Sequence, residues 1–153
     1  MARTAREDNL ALRGALIVEL LAGATVAAND ALYLDSNGKV QKLTSAQTAN
    51  RIGVAQNAAA SGETVRVQIA GKCTAIADAA ISVGARVGAP TTTAGRVAAA
   101  SNTLAVASGG TSVTSTAANG AIVSGDPVLS RVLGIALTAA ASAGDAITVL
   151  LTL

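Results

Sequence analysis

The side chains that could do chemistry in this chain are nine carboxylates, eleven basic residues, one cysteine and many hydroxyls, with no histidine at all. Without histidine there is no Ser-His-Asp or Cys-His nucleophile pair, no imidazole metal site and no general base of the commonest kind. Serines would then need a lysine activator, and Lys39, Lys42 and Lys72 read as solvated strand or turn residues. The carboxylates are Glu7, Asp8, Glu19, Asp30, Asp35, Glu63, Asp78, Asp126 and Asp145. Most stand beside Gly, Asn or Ser, as in Asn29-Asp30, Gly62-Glu63, Gly125-Asp126 and Gly144-Asp145. Turn solvation explains that placement better than acid/base pairing. Asp35-Ser36-Asn37-Gly38 starts like a calcium loop, but Lys39, Val40 and Ala46 fall where an EF-hand needs an oxygen ligand, a glycine and a glutamate. Gly38-Lys39 and Gly71-Lys72 run into Val40 and Cys73, so neither is a phosphate loop. Cys73, alone in an apolar stretch, cannot form an intrachain disulfide and reads as a small buried hydrophobe. These residues predict no catalytic site, no cofactor and no metal, hence not an enzyme.

The elements that would carry such side chains are written twice. Ile52-Gly53-Val54-Ala55, an alanine run, and Ser61-Gly62-Glu63 before an alternating Val/Ile strand form one copy. Leu133-Gly134-Ile135-Ala136, an alanine run, and Ala143-Gly144-Asp145 before Ala146 to Leu151 form the other. Upstream, Ala31 to Leu34 and Lys39 to Leu43 flank Asn37-Gly38, which predicts a hairpin on a two-residue type I′ turn. Ala85 to Gly88 and Arg96 to Ala98 echo that hairpin around Pro90 to Gly95. Strands at short, regular spacing with glycine-containing turns predict an all-β fold, a small barrel or sandwich. Its halves are pseudo-repeats at about residues 26–70 and 83–153, the second interrupted by a Ser/Thr/Gly/Ala-rich insertion at about 101–125. Ser45 to Asn50 could add one helical turn. Internal echoes of this kind mark a duplicated unit whose halves pack together.

Residues 1–14 are polar and charged and predict an extended N-terminal arm, leaving 15–153 as a single β domain. The apolar run from Ala15 to Ala28 is interrupted by Glu19 and too short to cross a membrane, so Ala15 to Leu21 is expected to be a buried strand of a protein made in the cytoplasm. Trp and Phe are absent and Tyr33 is the sole aromatic residue, so the core must be thin and aliphatic. Charged residues make up 13% of the chain, against about 25% in ordinary soluble domains. Such a surface is expected to be covered by other protein. The net charge of +2 forms no basic stripe with interleaved aromatics, which argues against nucleic acid as a partner.

The sequence Ile52-Gly53-Val54-Ala55 with Ser61-Gly62-Glu63-Thr64-Val65-Arg66-Val67, answered by Gly134-Ile135-Ala136-Leu137 and Gly144-Asp145-Ala146-Ile147-Thr148-Val149-Leu150, resembles the capsid decoration (cement) proteins of tailed bacteriophages. The resemblance covers Val26 to Leu153 apart from the insertion. It implies a β-tulip-like all-β body that forms a homotrimer on the outer surface of the virion, binds the major capsid protein and helps the shell resist the pressure of packaged DNA. It carries over no catalytic residue. The residues expected to meet the capsid or a neighbouring trimer are Arg3, Arg6 and Arg13 of the arm. The alternative is a carbohydrate- or receptor-binding module of a phage tail or cell surface, for which Tyr33 is the one candidate contact.

Overall fold

The structure, a computed structural model, describes residues 14–46, 50–100 and 132–152. Among them there is no helix, as an all-β reading requires, and nine strands form one curled antiparallel half-barrel sheet. The strands are β1 (Leu16–Leu21), β2 (Ala31–Leu34), β3 (Val40–Lys42), β4 (Arg51–Ala55), β5 (Thr64–Ile76), β6 (Arg86–Gly88), β7 (Ala98–Ala99), β8 (Val132–Ala136) and β9 (Ala146–Leu151). Their order is β3-β2-β4-β5-β9-β8-β6-β7, with β1 lying off this path against β5. Residues 1–13 of the expected arm, the insertion at 101–125 and residues 47–49 of the proposed helical turn lie outside the described residues. Ser45 and Ala46 form a plain turn.

The two halves repeat each other strand for strand. β1 pairs with the first part of β5, Val18 opposite Val67 and Leu20 opposite Val65. The second part of β5 pairs with β9 in the same way, Cys73 opposite Val149 and Ala75 opposite Ile147. Leu32 faces Gly53 as Val87 faces Gly134, each next to a register shift. Ala22 bridges Val40 as Ala77 bridges Val97, and Val26 bridges Ala59 as Ile81 bridges Ala140. The equivalence therefore takes in residues 16–21 and 71–76, upstream of both the Val26 and the Val83 starting points. β5 is thus two strands in one, and Gly71 lies at their joint with φ +89°. A side chain there would run into the Gly14 carbonyl, so the joint needs glycine both for its left-handed conformation and for space. The buried Gln68 side chain spans the bend, donating to the carbonyls of Ala70 (3.1 Å) and Lys72 (2.9 Å).

Two cores follow from this duplication. The smaller holds Ala22, Val26, Leu32, Val40, Ala55, Ala59, Val65 and Val67, all from the first half. The larger contains their counterparts Ala77, Ile81, Val87, Val97, Ala136, Ala140, Ile147 and Val149. It also takes in Ala31, Leu43 and Val54, which reach across from the first half. Valine and alanine dominate both, as expected of a chain that must pack without large aromatics.

Three expectations need correcting. The strand at 15–21 exists but is not buried, because among the described strands only β5 borders it; Leu16 is 49% and Leu21 48% exposed. The β2–β3 hairpin exists, but its turn is not type I′. Gly38 has positive φ (72°) while Asn37 does not. Gly38 N–H donates to the Asp35 carbonyl (3.1 Å) and Asp35 N–H to the Lys39 carbonyl (2.8 Å), a three-residue loop closed by a glycine bulge. The cause is Asp35, whose Oδ1 accepts the N–H groups of Asn37 (2.8 Å) and Lys39 (2.9 Å) and holds the chain in that longer loop. Lys42, expected to be solvated, instead forms an ion pair of 3.1 Å with Asp30, which is buried.

Candidate interaction surface

The carboxylates are dispersed, and each one bonded to backbone closes a turn. Glu63 accepts the Ala60 N–H at 2.7 Å; its counterpart Asp145 accepts those of Ala141 (2.8 Å) and Ser142 (2.9 Å). The Ser142 and Ala141 N–H groups hold the Asp145 carboxyl below the usual carboxylate range, and the Lys39 N–H does so for Asp35, supported by the Gln41 amide. Asp78 does more. Its carboxylate accepts the N–H groups of Thr91 (2.8 Å), Thr92 (2.8 Å) and Thr93 (3.1 Å) and the hydroxyls of Thr91 (2.9 Å) and Thr92 (3.0 Å). Burial pushes this carboxyl up, but the donors from Thr92 and Thr91 outweigh it and leave it far below the ordinary range. Turn solvation was therefore too weak a reading for Asp30 and Asp78, both of which are buried.

The two halves fill one polar position from different places. Asp78 is the counterpart of Gly23, and a Cβ on Gly23 would lie 3.2 Å from Asp35 Oδ2. The carboxylate that clamps the β6–β7 turn thus enters from before the hairpin, whereas the one clamping the β2–β3 turn enters from the turn itself. Both act as internal supports of a turn.

Among the described residues no group of His, Cys, Asp and Glu could hold a metal ion. Cys73 is buried, as expected, and burial pushes its thiol up to about 11, which makes it a poor nucleophile. Tyr33 lies half-buried against the larger core instead of standing free as a stacking platform. Arg3, Arg6 and Arg13 lie outside the described residues. No described helix is long and apolar enough to cross a membrane.

What remains for recognition is surface. The clearest concavity, about 330 Å³ and shallow, is lined by Leu34, Asp35, Asn50, Arg51 and Ile52 on the first half. Leu34 and Ile52 of this lining, with Val18, Leu20 and Ile69, pack against the smaller core yet stay half-exposed. Val18 and Leu20 belong to β1, which is bordered on one side by β5. An open mouth of aliphatic side chains and a strand border have the chemistry of surfaces that other polypeptides pack against.

No protein-family model and no curated protein matches this sequence. Among solved structures it is similar to the head fiber gp8.5 N base of bacteriophage phi29, with a TM-score of 0.54 and 18% identity. The alignment covers 90% of this chain and 94% of that one. The two share a fold. At that identity the likeness speaks for architecture alone.

Proposed function

We propose that this chain is a structural component of a bacteriophage head, a decoration protein that docks on the outside of the shell as a homotrimer and reinforces it against internal DNA pressure. The observation that carries this reading is the fold held in common with a phage head fiber base over nearly the whole of both chains. The cement-like Gly-Val-Ala and Gly-acidic repeats add to it, and so does a set of polar side chains spent on turns. In this reading the major capsid protein is the main partner. The arm, through Arg3, Arg6 and Arg13, meets acidic surface there or on a neighbouring trimer. Several modest contacts per trimer suffice, because after the first engages the others become intramolecular.

The test is to add purified protein to heads assembled without it. Saturable occupancy at fixed lattice positions, with heads that survive higher temperature or osmotic shock, supports the proposal. Failure to bind such heads, combined with specific binding to a glycan array, would replace it with the carbohydrate-binding alternative.

A further inference from the structure

The two cores are copies, but they are not equally covered. Cys73, Ala75, Leu133 and Leu151 of the larger core are buried, at 7%, 0%, 6% and 4% exposure. Their first-half counterparts Val18, Leu20, Ile52 and Ile69 are half-exposed, although they pack on an equivalent set of side chains. What the larger core has in addition is the outer face of the first half. Ala31, Leu43 and Val54 are fully buried within it, Tyr33 packs beside them, and β4 lies against β8. One half therefore plugs the other. Nothing within the described residues does the same for the first half.

The counterparts of those plugging residues identify the missing piece. Ala31 corresponds to Arg86 and Val54 to Ile135, since each pair faces the other in the sheet register. Leu43 corresponds to Ala100, because Leu43 N–H donates to the Ala31 carbonyl as Ala100 N–H donates to the Arg86 carbonyl. Ile135 and Ala100 are half-buried and Arg86 is exposed. The second half thus carries its own version of the plugging face, unused among the described residues. Arg86 on that face complements Asp35, which lines the open concavity.

We infer that a second copy of this chain fills the mouth head-to-tail: β8 of one copy packs over β4 of the next, with Ile135 against Ile52 and Leu34, repeating between chains the contact that β4 makes on β8 within one. Such a contact joins two different surfaces, so it propagates, and a soluble assembly requires that its rotation close into a ring. Only the ring size, three, rests on the function proposed above. The contact itself follows from the internal duplication.

The experiment uses the full chain at tens of micromolar, with mass read by sedimentation and native mass spectrometry and folding by circular dichroism. Wild type is expected as a closed oligomer. Ile52→Lys and Ile135→Asp should each weaken assembly at least tenfold in concentration, and the double variant, which places Lys against Asp at every contact, should recover it. If either charge variant fails to fold, Ile52→Cys and Ile135→Cys take its place. Chains of the two kinds cross-link when mixed, and neither kind cross-links alone. Wild type sedimenting as a single chain overturns the inference. So does an oligomer indifferent to both charge variants, and that result leaves the trimeric decoration reading intact. Rings that form yet fail to bind heads overturn the function and leave this contact standing.

Discussion

Replacing Asp78 by asparagine tests whether the β6–β7 turn is held by one carboxylate. The native side chain receives three backbone and two hydroxyl donors within 3.1 Å, all from Thr91 to Thr93. Asparagine keeps one acceptor oxygen and turns an NH2 group toward donors, so about half of that set is lost. A hydrogen bond to a charged group contributes about 1.5–3 kcal/mol, and water can reach the exposed threonines to recover part of it. A net loss of about 2–4 kcal/mol follows, a fall in Tm of roughly 5–15 °C for a chain of this size. The loss should also depend on pH. Because the folded carboxyl titrates below its unfolded value of about 3.9, its contribution is complete above that pH and disappears as pH falls through the folded value. Thermal melts of both proteins at matched concentration, from pH 7 downward, should show a wide gap that narrows below about pH 4. Equal melting at pH 7, or a gap that stays constant down to pH 2.5, would refute the clamp.

Other outcomes follow from features already described. Gly53→Ala and Gly134→Ala each drive a methyl into a backbone carbonyl, of Gln68 and Leu150 respectively, and should destabilise by about 3 kcal/mol or more in chemical denaturation. Leu43→Ala removes a fully buried side chain that reaches between halves, so a loss of about 2–5 kcal/mol is expected by the same method, in a single transition. Cys73 should resist a thiol-specific reagent at pH 8 in the native protein and react at once when unfolded, given burial and a thiol pushed up to about 11. Removing residues 1–14 should leave melting unchanged while lowering occupancy on heads, measured by quantitative gel.

The strands were legible because alternating Val and Ile leave a plain signature, as at Val65-Arg66-Val67 and Ile147-Thr148-Val149. Their environment was harder to read. The run at 15–21 has the composition of an interior strand, and nothing in it reveals that β5 alone among the described strands would border it. The Asn37-Gly38 pair predicts one turn and Asp35 imposes another, because a side chain two residues earlier competes for the same N–H groups. Asp78 and Thr91 are far apart along the chain, so the clamp between them has no local pattern to betray it. The repeat itself was visible through its glycines, but its first strand was not. β1 and the end of β5 share pairing geometry while sharing few residue types, Val18 answering to Cys73 and Leu20 to Ala75. The mouth of the first half belongs to the same class, since burial of Leu133 and exposure of Ile52 differ only through what lies above them.

The joint at Gly71 also decides where the body can be extended. The incoming backbone at Gly14 touches that glycine, and Leu151, near the outgoing end, is its partner on β9. Entry and exit therefore sit side by side over the midpoint of one long strand. In a chain cut back to residues 14–152, a short tether would suffice to join these two points and reopen the body at a turn elsewhere.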